Sequence, residues 1–335
     1  MNRVLFLEVS ESWQKDYLAA DLKDKAEVEF SGEPFDASRQ GNDRITILSP
    51  FVNSRIHKAD FERLPSLKFI PTRSTGFDHV DIQAAKSKGV PVSNVPSYGE
   101  NTVAEHTFAL ILSLSRNLRK AYFKTRDNDF SLDGLMGFDL KEKVIGVVGT
   151  GHIGLHVIQM ARGFGLRVLA FDVKKNQFLS EVLGFQYVAL DELLAQSDII
   201  TLHVPAMPAT HHLLNETNIG KIKRGAILIN TSRGSLVETS ALVKALDDGI
   251  LSGAGLDVLE GEEWLIDESR LLDHADQTES LKVTLKNHIL LHRDNVVYTP
   301  HIAFYSKEAV TRILATTVQN IRSFLAGSPE NVVNR

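Results

Sequence analysis

The most constraining feature of this 335-residue sequence is a glycine-rich turn after a short apolar run. Residues 144–148 are predicted to form a buried parallel strand, and Gly149-Thr150-Gly151-His152-Ile153-Gly154 leads from it into a predicted helix over 155–162. In such a turn the first glycine allows the bend, the second lets the backbone approach a pyrophosphate, and the third lets helix and strand pack closely. A second predicted strand ends at Asp172, about 20 residues on, where a ribose-binding carboxylate is expected. The pattern predicts a dinucleotide site.

Length and composition limit the class of protein further. The chain is too long for a comfortable single core, so two domains are expected. The net charge is −5 and no dense cluster of lysine and arginine occurs, which argues against nucleic acid and anionic membranes as partners. The absence of cysteine excludes disulfides, thiolate nucleophiles and cysteine metal sites, and the sequence suggests no other metal cluster. Its apolar stretches are too short for a signal peptide or a membrane span, so we expect a cytoplasmic location.

Predicted strands and helices alternate along the chain, which indicates an α/β fold with two doubly wound parallel sheets. The first hundred residues are expected to form one small parallel-sheet domain. From Val144 onward, six strands are predicted, as in a six-stranded doubly wound sheet. They begin near Val144, Arg167, Ile199, Ala226, Gly253 and Val296. A single helix over 100–118 is predicted to cross between the domains, a helical excursion is expected within 262–292, and a long helix over 307–326 ends the chain.

Polar clusters follow several predicted strands of the second domain. Because the carboxyl ends of parallel strands form the ligand-binding edge of an open α/β sheet, these clusters are candidate site residues. They are His203-Val204-Pro205, Thr231-Ser232-Arg233-Gly234, Asp257, the acidic group Glu260, Glu262 and Glu263, and Thr299-Pro300-His301.

These clusters, with two earlier motifs, resemble the NAD-dependent D-isomer-specific 2-hydroxyacid dehydrogenases, and among them most of all the D-lactate dehydrogenases. The matching stretches span nearly the whole chain in family order, and together they are far more specific than the glycine turn. They are 73–78, 94–98 with 104–106, 149–154, 228–234, 255–258 and 299–303.

The resemblance implies a catalytic trio of Arg233, Glu262 and His301, which chemistry supports. Reduction of a 2-oxo acid needs a proton for the developing alkoxide, and a histidine can hold that proton near neutral pH. A neighbouring carboxylate favours the charged imidazole, the role implied for Glu262. The planar fork of Arg233 suits a substrate carboxylate, and it can polarise the keto oxygen as charge builds there. The family spacing from Asp257 singles out Glu262, although Glu260 and Glu263 lie close by.

The resemblance also implies NAD as the cofactor. Asp172 would accept hydrogen bonds from the ribose hydroxyls and repel a 2′-phosphate, although Lys174 and Lys175 nearby leave some tolerance of NADP open. Asp257 is implied to hold the nicotinamide carboxamide and Val103 to pack on the ring, unless Val103 is only a core residue. The remaining predicted cofactor contacts are Gly149, Gly151, His152, Ile153 and Gly154 at the phosphates, His203, Val204 and Pro205 at the adenine, and Thr231 and Ser232 at the nicotinamide ribose.

The predicted substrate contacts fall outside this set. The turn Ser74-Thr75-Gly76 can present successive N–H groups to a carboxylate, while Tyr98, Phe304 and Tyr305 would leave room only for a small side chain such as the methyl of pyruvate. The expected reaction is reversible reduction of pyruvate to D-lactate. Dehydrogenases of 2-hydroxyisocaproate, glycerate, erythronate or phosphite remain alternatives, as does an NAD-sensing co-repressor that binds partner proteins.

The resemblance further implies how the chain is organised. A discontinuous, flavodoxin-like substrate domain would comprise residues 1–99 and 304–335, and a Rossmann domain of residues 100–303 would bind NAD, with a cleft between the two. Members of the family are typically homodimers paired through the cofactor domain, so a homodimer is expected, and the long helix that begins near Glu100 is a candidate contact.

Overall fold

A computed structural model describes residues 2–266 and 277–334 of the chain. It divides into two compact units, of which the smaller comprises Met1–Tyr98 with Ser306–Arg335 and the larger comprises Gly99–Tyr305. Ten residues of the predicted excursion, 267–276, lie outside the described part.

The smaller unit combines short parallel strands with helices from both ends of the chain. Its strands are β1 (Asn2–Phe6), β2 (Ala26–Phe30), β3 (Ile47–Ser49), β4 (Ile70–Pro71) and β5 (Val92–Ser93), and its helices are α1 (Ser12–Leu22), α2 (Ile82–Ser87) and α11 (Lys307–Leu325). The strands form a three-stranded sheet in the order β2-β1-β3 and a two-stranded sheet β4-β5. A parallel bridge between Ile47 and Phe69 connects the two sheets, so the strand order continues as 2-1-3-4-5, the order of flavodoxin-like folds.

The C-terminal helix α11 belongs to the smaller unit because it packs on that unit's strands and on α1. The rings of Phe324 and Phe69 stack with centroids 4.4 Å apart. Arg322 pairs with Asp21 of α1 at 2.6 Å. The Asn320 side chain donates to the carbonyl of Asn94 at 2.9 Å. A stacked aromatic pair and two polar anchors therefore hold the last helix against the first hundred residues.

The larger unit consists of one parallel sheet with helices on both faces. Its strands are β6 (Val144–Val148), β7 (Arg167–Phe171), β8 (Gln186–Tyr187), β9 (Ile199–Leu202), β10 (Ala226–Asn230), β11 (Leu251–Leu256) and β12 (Val296–Tyr298). Its helices are α3 (Glu100–Ser115), α4 (Leu118–Arg126), α5 (His152–Gly163), α6 (Gln177–Leu183), α7 (Leu190–Gln196), α8 (Thr239–Asp247), α9 (Glu262–Ile266) and α10 (Gln277–Leu291).

The sheet of the larger unit has the order β12-β11-β10-β9-β6-β7-β8 with every neighbouring pair parallel. This is the doubly wound order, and it confirms the α/β fold class. The prediction of six strands is wrong by one, because the two-residue strand β8 carries no apolar run that would mark it in the sequence. Because every pair is parallel, the carboxyl ends of all strands lie at one edge of this sheet, and the polar clusters follow them there.

The predicted helix over 100–118 is also wrong in extent. Helix α3 ends at Ser115, and Asn117 has a left-handed backbone with φ of 49° before α4 begins. The carbonyl of Ser115 accepts from the N–H of Phe138 at 2.9 Å, and the Asn117 side chain donates to the carbonyl of Met136 at 3.1 Å. Because asparagine tolerates the left-handed region, the chain turns here, and contacts with 136–138 compensate for the interrupted helix.

None of the described helices is both long and apolar enough to cross a bilayer.

Asp198 connects three parts of the larger unit and gives a testable stability term. Its carboxylate accepts from the N–H of Val144 at 2.9 Å and from Lys223 at 2.7 Å. Partial burial raises the pKa of Asp198, but these hydrogen bonds outweigh it and leave the pKa below its ordinary value. The carboxylate therefore stabilises the fold above the pKa of an unfolded aspartate, and the effect is lost as the pH falls through the lower folded value.

We predict that Asp198→Asn lowers the free energy of unfolding by ~1 kcal/mol at pH 7. The difference from the parent should stay constant between roughly pH 7 and 5 and shrink below about pH 4, where the unfolded carboxyl protonates. Urea unfolding followed by circular dichroism measures it. Asp191→Asn removes the same charge from the exposed pair with Lys221 and serves as the control, with an expected change within about 0.5 kcal/mol. A difference that grows on acidification would contradict the argument.

Candidate active site

The glycine turn joins β6 to α5 in the way that its sequence predicts. Gly149 has φ of 99°, and its N–H donates to the carbonyl of Phe171 at 2.8 Å. A β-carbon at Gly154 would lie 2.0 Å from the carbonyl oxygen of Gly149, so only glycine permits this contact between helix and turn. A β-carbon at Gly151 would meet no heavy atom of the described chain within 4 Å. The turn is therefore open at Gly151, the residue just before the first N–H groups of α5, and this arrangement fits a pyrophosphate.

Asp172 stands at the end of β7, beside this turn. Its carboxylate accepts from the N–H of Thr150 at 2.7 Å, from the Thr150 hydroxyl at 3.1 Å and from the N–H of Lys174 at 2.8 Å. Partial burial raises the pKa of Asp172, but these hydrogen bonds outweigh it, so the pKa lies below the ordinary value. The hydroxyl of Tyr187 supports Thr150 at 2.9 Å. An ionised, oriented carboxylate here suits the hydroxyls of a ribose.

The loops after β9 and β10 lie at the same edge of the sheet. Ser232 donates through its hydroxyl to the carbonyl of Val204 at 2.6 Å, which ties the two loops together. The hydroxyls of Thr231 and Thr107 are 3.0 Å apart and hold α3 against the end of β10. His203 contacts the Thr201 hydroxyl at 2.9 Å, and burial lowers the pKa of His203 to about 3, so its ring is neutral.

The other predicted cofactor contacts differ in exposure. Val103 is buried in α3 and His152 at the start of α5 is 80% exposed, with Nδ1 at 3.7 Å from Glu100. Ile153 is half-buried and Pro205 is exposed. These positions stay predictions for cofactor contact.

Glu262 and His301 meet, although 39 residues separate them in the sequence. Nδ1 of His301 lies 3.0 Å from Oε1 of Glu262, and both side chains are roughly a quarter exposed. Because a carboxylate only accepts, Nδ1 carries the hydrogen in this contact, and Nε2 is the nitrogen that can face a substrate. The other Glu262 oxygen accepts from the N–H of Leu259 at 3.2 Å, which fixes the carboxylate within its own turn.

Asp257 organises the loop that carries His301. Its side chain is fully buried, and it accepts from the Thr299 hydroxyl at 2.6 Å and from the N–H groups of Ile302 and Ala303 at 2.9 Å each. The N–H of His301 donates to the carbonyl of Asp257 at 2.8 Å while His301 adopts a left-handed φ of 56°. Burial raises the pKa of Asp257, in spite of the hydrogen bonds that favour its charged form. These partners are all within the protein, and the carboxamide contact stays a prediction.

Arg233 follows β10 and begins a short 3₁₀ turn over Gly234–Leu236. A β-carbon at Gly234 would lie 2.0 Å from the backbone carbon of Leu259, so glycine is required where this turn crosses the segment leading to Glu262. The Asn230 side chain donates to the carbonyl of Arg233 at 2.9 Å, and Nη1 of Arg233 donates to the carbonyl of Ser232 at 2.8 Å. The backbone of Arg233 is thus fixed next to the turn that holds Glu262.

Glu260, the rival of Glu262 in the sequence, has a different partner. Its Oε1 lies 2.5 Å from Nε2 of His212, and its Oε2 accepts from the N–H and the hydroxyl of Thr239 at 3.0 and 2.8 Å. Burial raises the pKa of Glu260, but the hydrogen bonds from His212 and Thr239 outweigh it and leave the pKa lowered. Only Glu262 of this pair faces His301.

The predicted carboxylate-binding turn Ser74-Thr75-Gly76 lies in the smaller unit. The Thr75 hydroxyl donates to the carbonyl of Val95 at 2.7 Å, and the Ser74 hydroxyl donates to the carbonyl of Gly76 at 2.6 Å. Arg73 is buried beneath the turn and donates to the carbonyls of Ser49 and Leu7. Burial lowers the pKa of Arg73 to about 10, so it stays cationic at neutral pH. Thr75 is exposed, which leaves this turn open on one side.

The three aromatic residues that are predicted to contact the substrate belong to different units of the chain. Tyr98 ends the first segment of the smaller unit, where its carbonyl accepts from Arg312 of α11. Phe304 and Tyr305 follow the His301 loop of the larger unit and form an edge-to-face pair with centroids 5.6 Å apart. The Tyr305 side chain is 52% exposed.

Sequence reasoning missed several side chains that support the site. His106 of α3 contacts the Thr299 hydroxyl at 2.9 Å and the Asp257 carboxylate at 3.5 Å. Tyr298 lies near Glu262 and Asp257, and burial together with their charges raises the pKa of Tyr298 to about 12. Both residues stand in or beside the family motifs, but only the folded chain shows what they contact. The fold also brings together His211, His212 and Glu260 as potential metal ligands, a contact that the sequence does not indicate.

Comparison with known proteins identifies the family. Residues 108–303 match the model described as the NAD-binding domain of D-isomer-specific 2-hydroxyacid dehydrogenases. The chain belongs to this family. It is therefore an NAD-dependent oxidoreductase that interconverts 2-oxo and D-2-hydroxy acids, and the glycine turn with Asp172 fits NAD.

Individual relatives support this placement. A 2-hydroxyacid dehydrogenase homolog of Haemophilus influenzae is 41% identical over 84% of each chain. The D-lactate dehydrogenase of Escherichia coli is 39% identical over 83% of this chain and 82% of its own. Among solved structures, D-lactate dehydrogenase from Aquifex aeolicus, complexed with NAD and lactic acid, superimposes with a TM-score of 0.88 at 38% identity over 99% of both chains. An aromatic 2-oxoacid reductase of Clostridium sporogenes is also 36% identical over 87% of this chain and 86% of its own.

The two later glycines of the turn allow a matched test. We predict that Gly151→Ala leaves the melting temperature unchanged but weakens NADH binding by about 10-fold or more, because the new methyl group enters the space that fits the pyrophosphate. Gly154→Ala should instead destabilise the unit by ~1–3 kcal/mol, because its methyl group meets the backbone of Gly149. Differential scanning fluorimetry and NADH fluorescence titration separate the effects. Equal loss of stability in both variants would refute this assignment.

Proposed function

We propose that this protein reduces pyruvate to D-lactate with NADH, in a reversible reaction that also consumes one proton. The observation that carries the proposal is the contact between His301 and Glu262 at 3.0 Å beside the turn of Arg233, in a member of this family. An imidazole with a carboxylate on one nitrogen can hold and release a proton at the other. We propose pyruvate rather than a larger 2-oxo acid as the substrate because several relatives are D-lactate dehydrogenases.

In the proposed mechanism, each residue of the trio has a separate task. The guanidinium of Arg233 binds the substrate carboxylate and stabilises the charge that develops on the keto oxygen. Nε2 of His301 donates the proton to that oxygen, while Glu262 orients the ring through Nδ1 and stabilises its charged form. When bound, NADH supplies the hydride.

We assign the supporting contacts by the same reasoning. Gly151 and the first N–H groups of α5 bind the pyrophosphate, and Asp172 binds the adenosine ribose. The turn Ser74-Thr75-Gly76 is a proposed second contact for a carboxylate through its N–H groups. By burial and by its partners, Asp257 orders the loop of His301.

Substrate size is the finer part of the proposal. Tyr98, Phe304 and Tyr305 are bulky, and we propose that they restrict the side chain of the 2-oxo acid to about a methyl group. The aromatic 2-oxoacid reductase among the relatives makes larger substrates the main alternative. A cytoplasmic location likewise stays part of the proposal.

A panel of 2-oxo acids tests the substrate assignment. Purified protein with NADH is offered pyruvate, 2-oxoisocaproate, phenylpyruvate and hydroxypyruvate, and oxidation of NADH is followed by its loss of near-ultraviolet absorbance. We expect the highest kcat/KM with pyruvate and a D-configured product on chiral chromatography. A higher value with phenylpyruvate would transfer the assignment to aromatic substrates. Turnover of none of the acids would favour a role in binding NAD and partner proteins.

Variants of the trio test the mechanism. We predict that His301→Asn lowers kcat by about 10²–10⁴-fold with unchanged NADH binding. Asparagine is chosen because it tolerates the left-handed backbone at this position. Arg233→Lys should lower kcat/KM by about 100-fold, since a point charge replaces a bidentate fork. His292→Asn, a matched change at an exposed histidine just after α10, is the control. Near-parental turnover of His301→Asn would remove this residue from the proton transfer.

We also propose a homodimer formed through the larger unit. Helix α4 and the segment after it carry exposed apolar side chains, namely Leu118, Tyr122, Phe123, Phe130, Leu132 and Met136. The side chain of Lys124 donates to Ser131 and to the carbonyl of Asp133, which folds this segment back onto α4. Apolar side chains that are 83% (Leu132) and 94% (Met136) exposed are costly on a monomer and suit burial against a second copy.

The oligomeric state tests this surface. We predict that Leu132→Ser combined with Met136→Ser shifts the protein from dimer to monomer in light scattering coupled to size-exclusion chromatography. Val182→Ser, which removes an apolar side chain 63% exposed on α6, should leave the dimer intact. A parental protein that is monomeric at micromolar concentration would overturn the proposal.

A further inference from the structure

Two loops of the larger unit bring a pair of histidines against a carboxylate outside the catalytic trio. One potential ligand atom from each of His211, His212 and Glu260 lies within 4.8 Å of the other two. Glu260 is 48 residues from His212 in the sequence. The proposed reaction uses none of the three residues.

The backbone of His212 is fixed on both sides. Its N–H donates to the carbonyl of Ser235 at 2.8 Å, and its carbonyl accepts from the Asn215 side chain at 2.8 Å. Leu214 then forms a parallel bridge with Val237. The loop that carries the imidazole of His212 is therefore fixed by hydrogen bonds on both sides of this residue.

Glu260 is equally well oriented. Oε2 is held by the N–H and the hydroxyl of Thr239, and the main-chain carbonyl accepts from the Asn287 side chain at 2.8 Å. Oε1 points to Nε2 of His212 at 2.5 Å. Metal-binding carboxylates are typically positioned in this way by hydrogen bonds to the oxygen that does not bind the metal.

His211 completes the cluster from the solvent side. Its ring lies against that of His212 with centroids 3.9 Å apart and an angle of 33° between the planes. Two imidazoles and one carboxylate form a donor set that zinc and its neighbours in the first transition row prefer, whereas magnesium and calcium favour oxygen ligands. The exposure of His211 leaves room for water as a further ligand.

We propose that His211, His212 and Glu260 bind one divalent transition-metal ion of the zinc type. The metal takes the place of the hydrogen that Nε2 of His212 donates to Oε1 of Glu260, with small movements that open this contact to the separation of two ligands. Thr239 keeps the carboxylate oriented. Because imidazole ligands must be neutral, acidification weakens binding.

Cobalt titration tests the proposal directly. Full-length protein without an affinity tag is treated with EDTA, dialysed and titrated with Co²⁺, whose visible absorption reports a tetrahedral or five-coordinate site. We expect one Co²⁺ per chain and loss of the absorption on addition of Zn²⁺. Isothermal titration with Zn²⁺ gives the affinity. Absence of binding up to millimolar metal would overturn the proposal.

Variants identify the ligands. His211→Ala and Glu260→Gln should each weaken Zn²⁺ binding by about 10-fold or more. His211 is exposed, so its removal should leave the circular dichroism spectrum unchanged, and this variant decides the question if Glu260→Gln disturbs Thr239. The control is His292→Ala, because His288 and His292 form another histidine pair, at a spacing of four residues. Loss of binding in His292→Ala, or unchanged binding in His211→Ala, would refute the assignment.

Discussion

The loop that carries His301 at the edge of the larger unit's sheet depends on the buried carboxylate of Asp257. Taking a carboxylate out of water is costly unless donors surround it, and here one hydroxyl and two N–H groups do so. All three donors belong to residues 299–303. The hydrogen bonds that stabilise the buried charge are therefore the same ones that fix the conformation of this loop. The loop in turn places His301, whose left-handed backbone is compatible with few other conformations of this segment. Replacing Asp257 would release the loop and the imidazole of His301 together.

The predicted site residues of the larger unit lie at one edge because its sheet is parallel. Strands β6, β7, β9, β10, β11 and β12 all end at one edge, and each contributes a loop with polar side chains. Two close backbone contacts then set the distances between loops. The α5 turn is fixed at Gly154, and the Arg233 turn is fixed against the segment of Leu259 at Gly234. In both places the absence of a side chain defines the geometry.

The sequence alone predicts those features whose local pattern has one physical meaning. The glycine turn, Asp172 at the end of β7 and the parallel alternation are of this kind, and the fold confirms the architecture. The two-residue strand β8 has no periodicity that predicts it. The break at Asn117 is not predicted because the tolerance of asparagine for a left-handed backbone only permits a turn, and the contacts with 136–138 that stabilise it are distant in the sequence. The network of His106, Thr299 and Asp257 joins three distant segments. No spacing in the sequence encodes such contacts.

The turn from Leu259 to Glu262 has a consequence for how related sequences can vary in length. Glu260 faces His212 and Glu262 faces His301, so the two carboxylates of one short turn serve partners in different directions. Insertion of a single residue would rotate the second carboxylate away from the imidazole without changing the acidic composition. The spacing of five residues from Asp257 to Glu262 therefore determines which carboxylate of this acidic turn contacts His301.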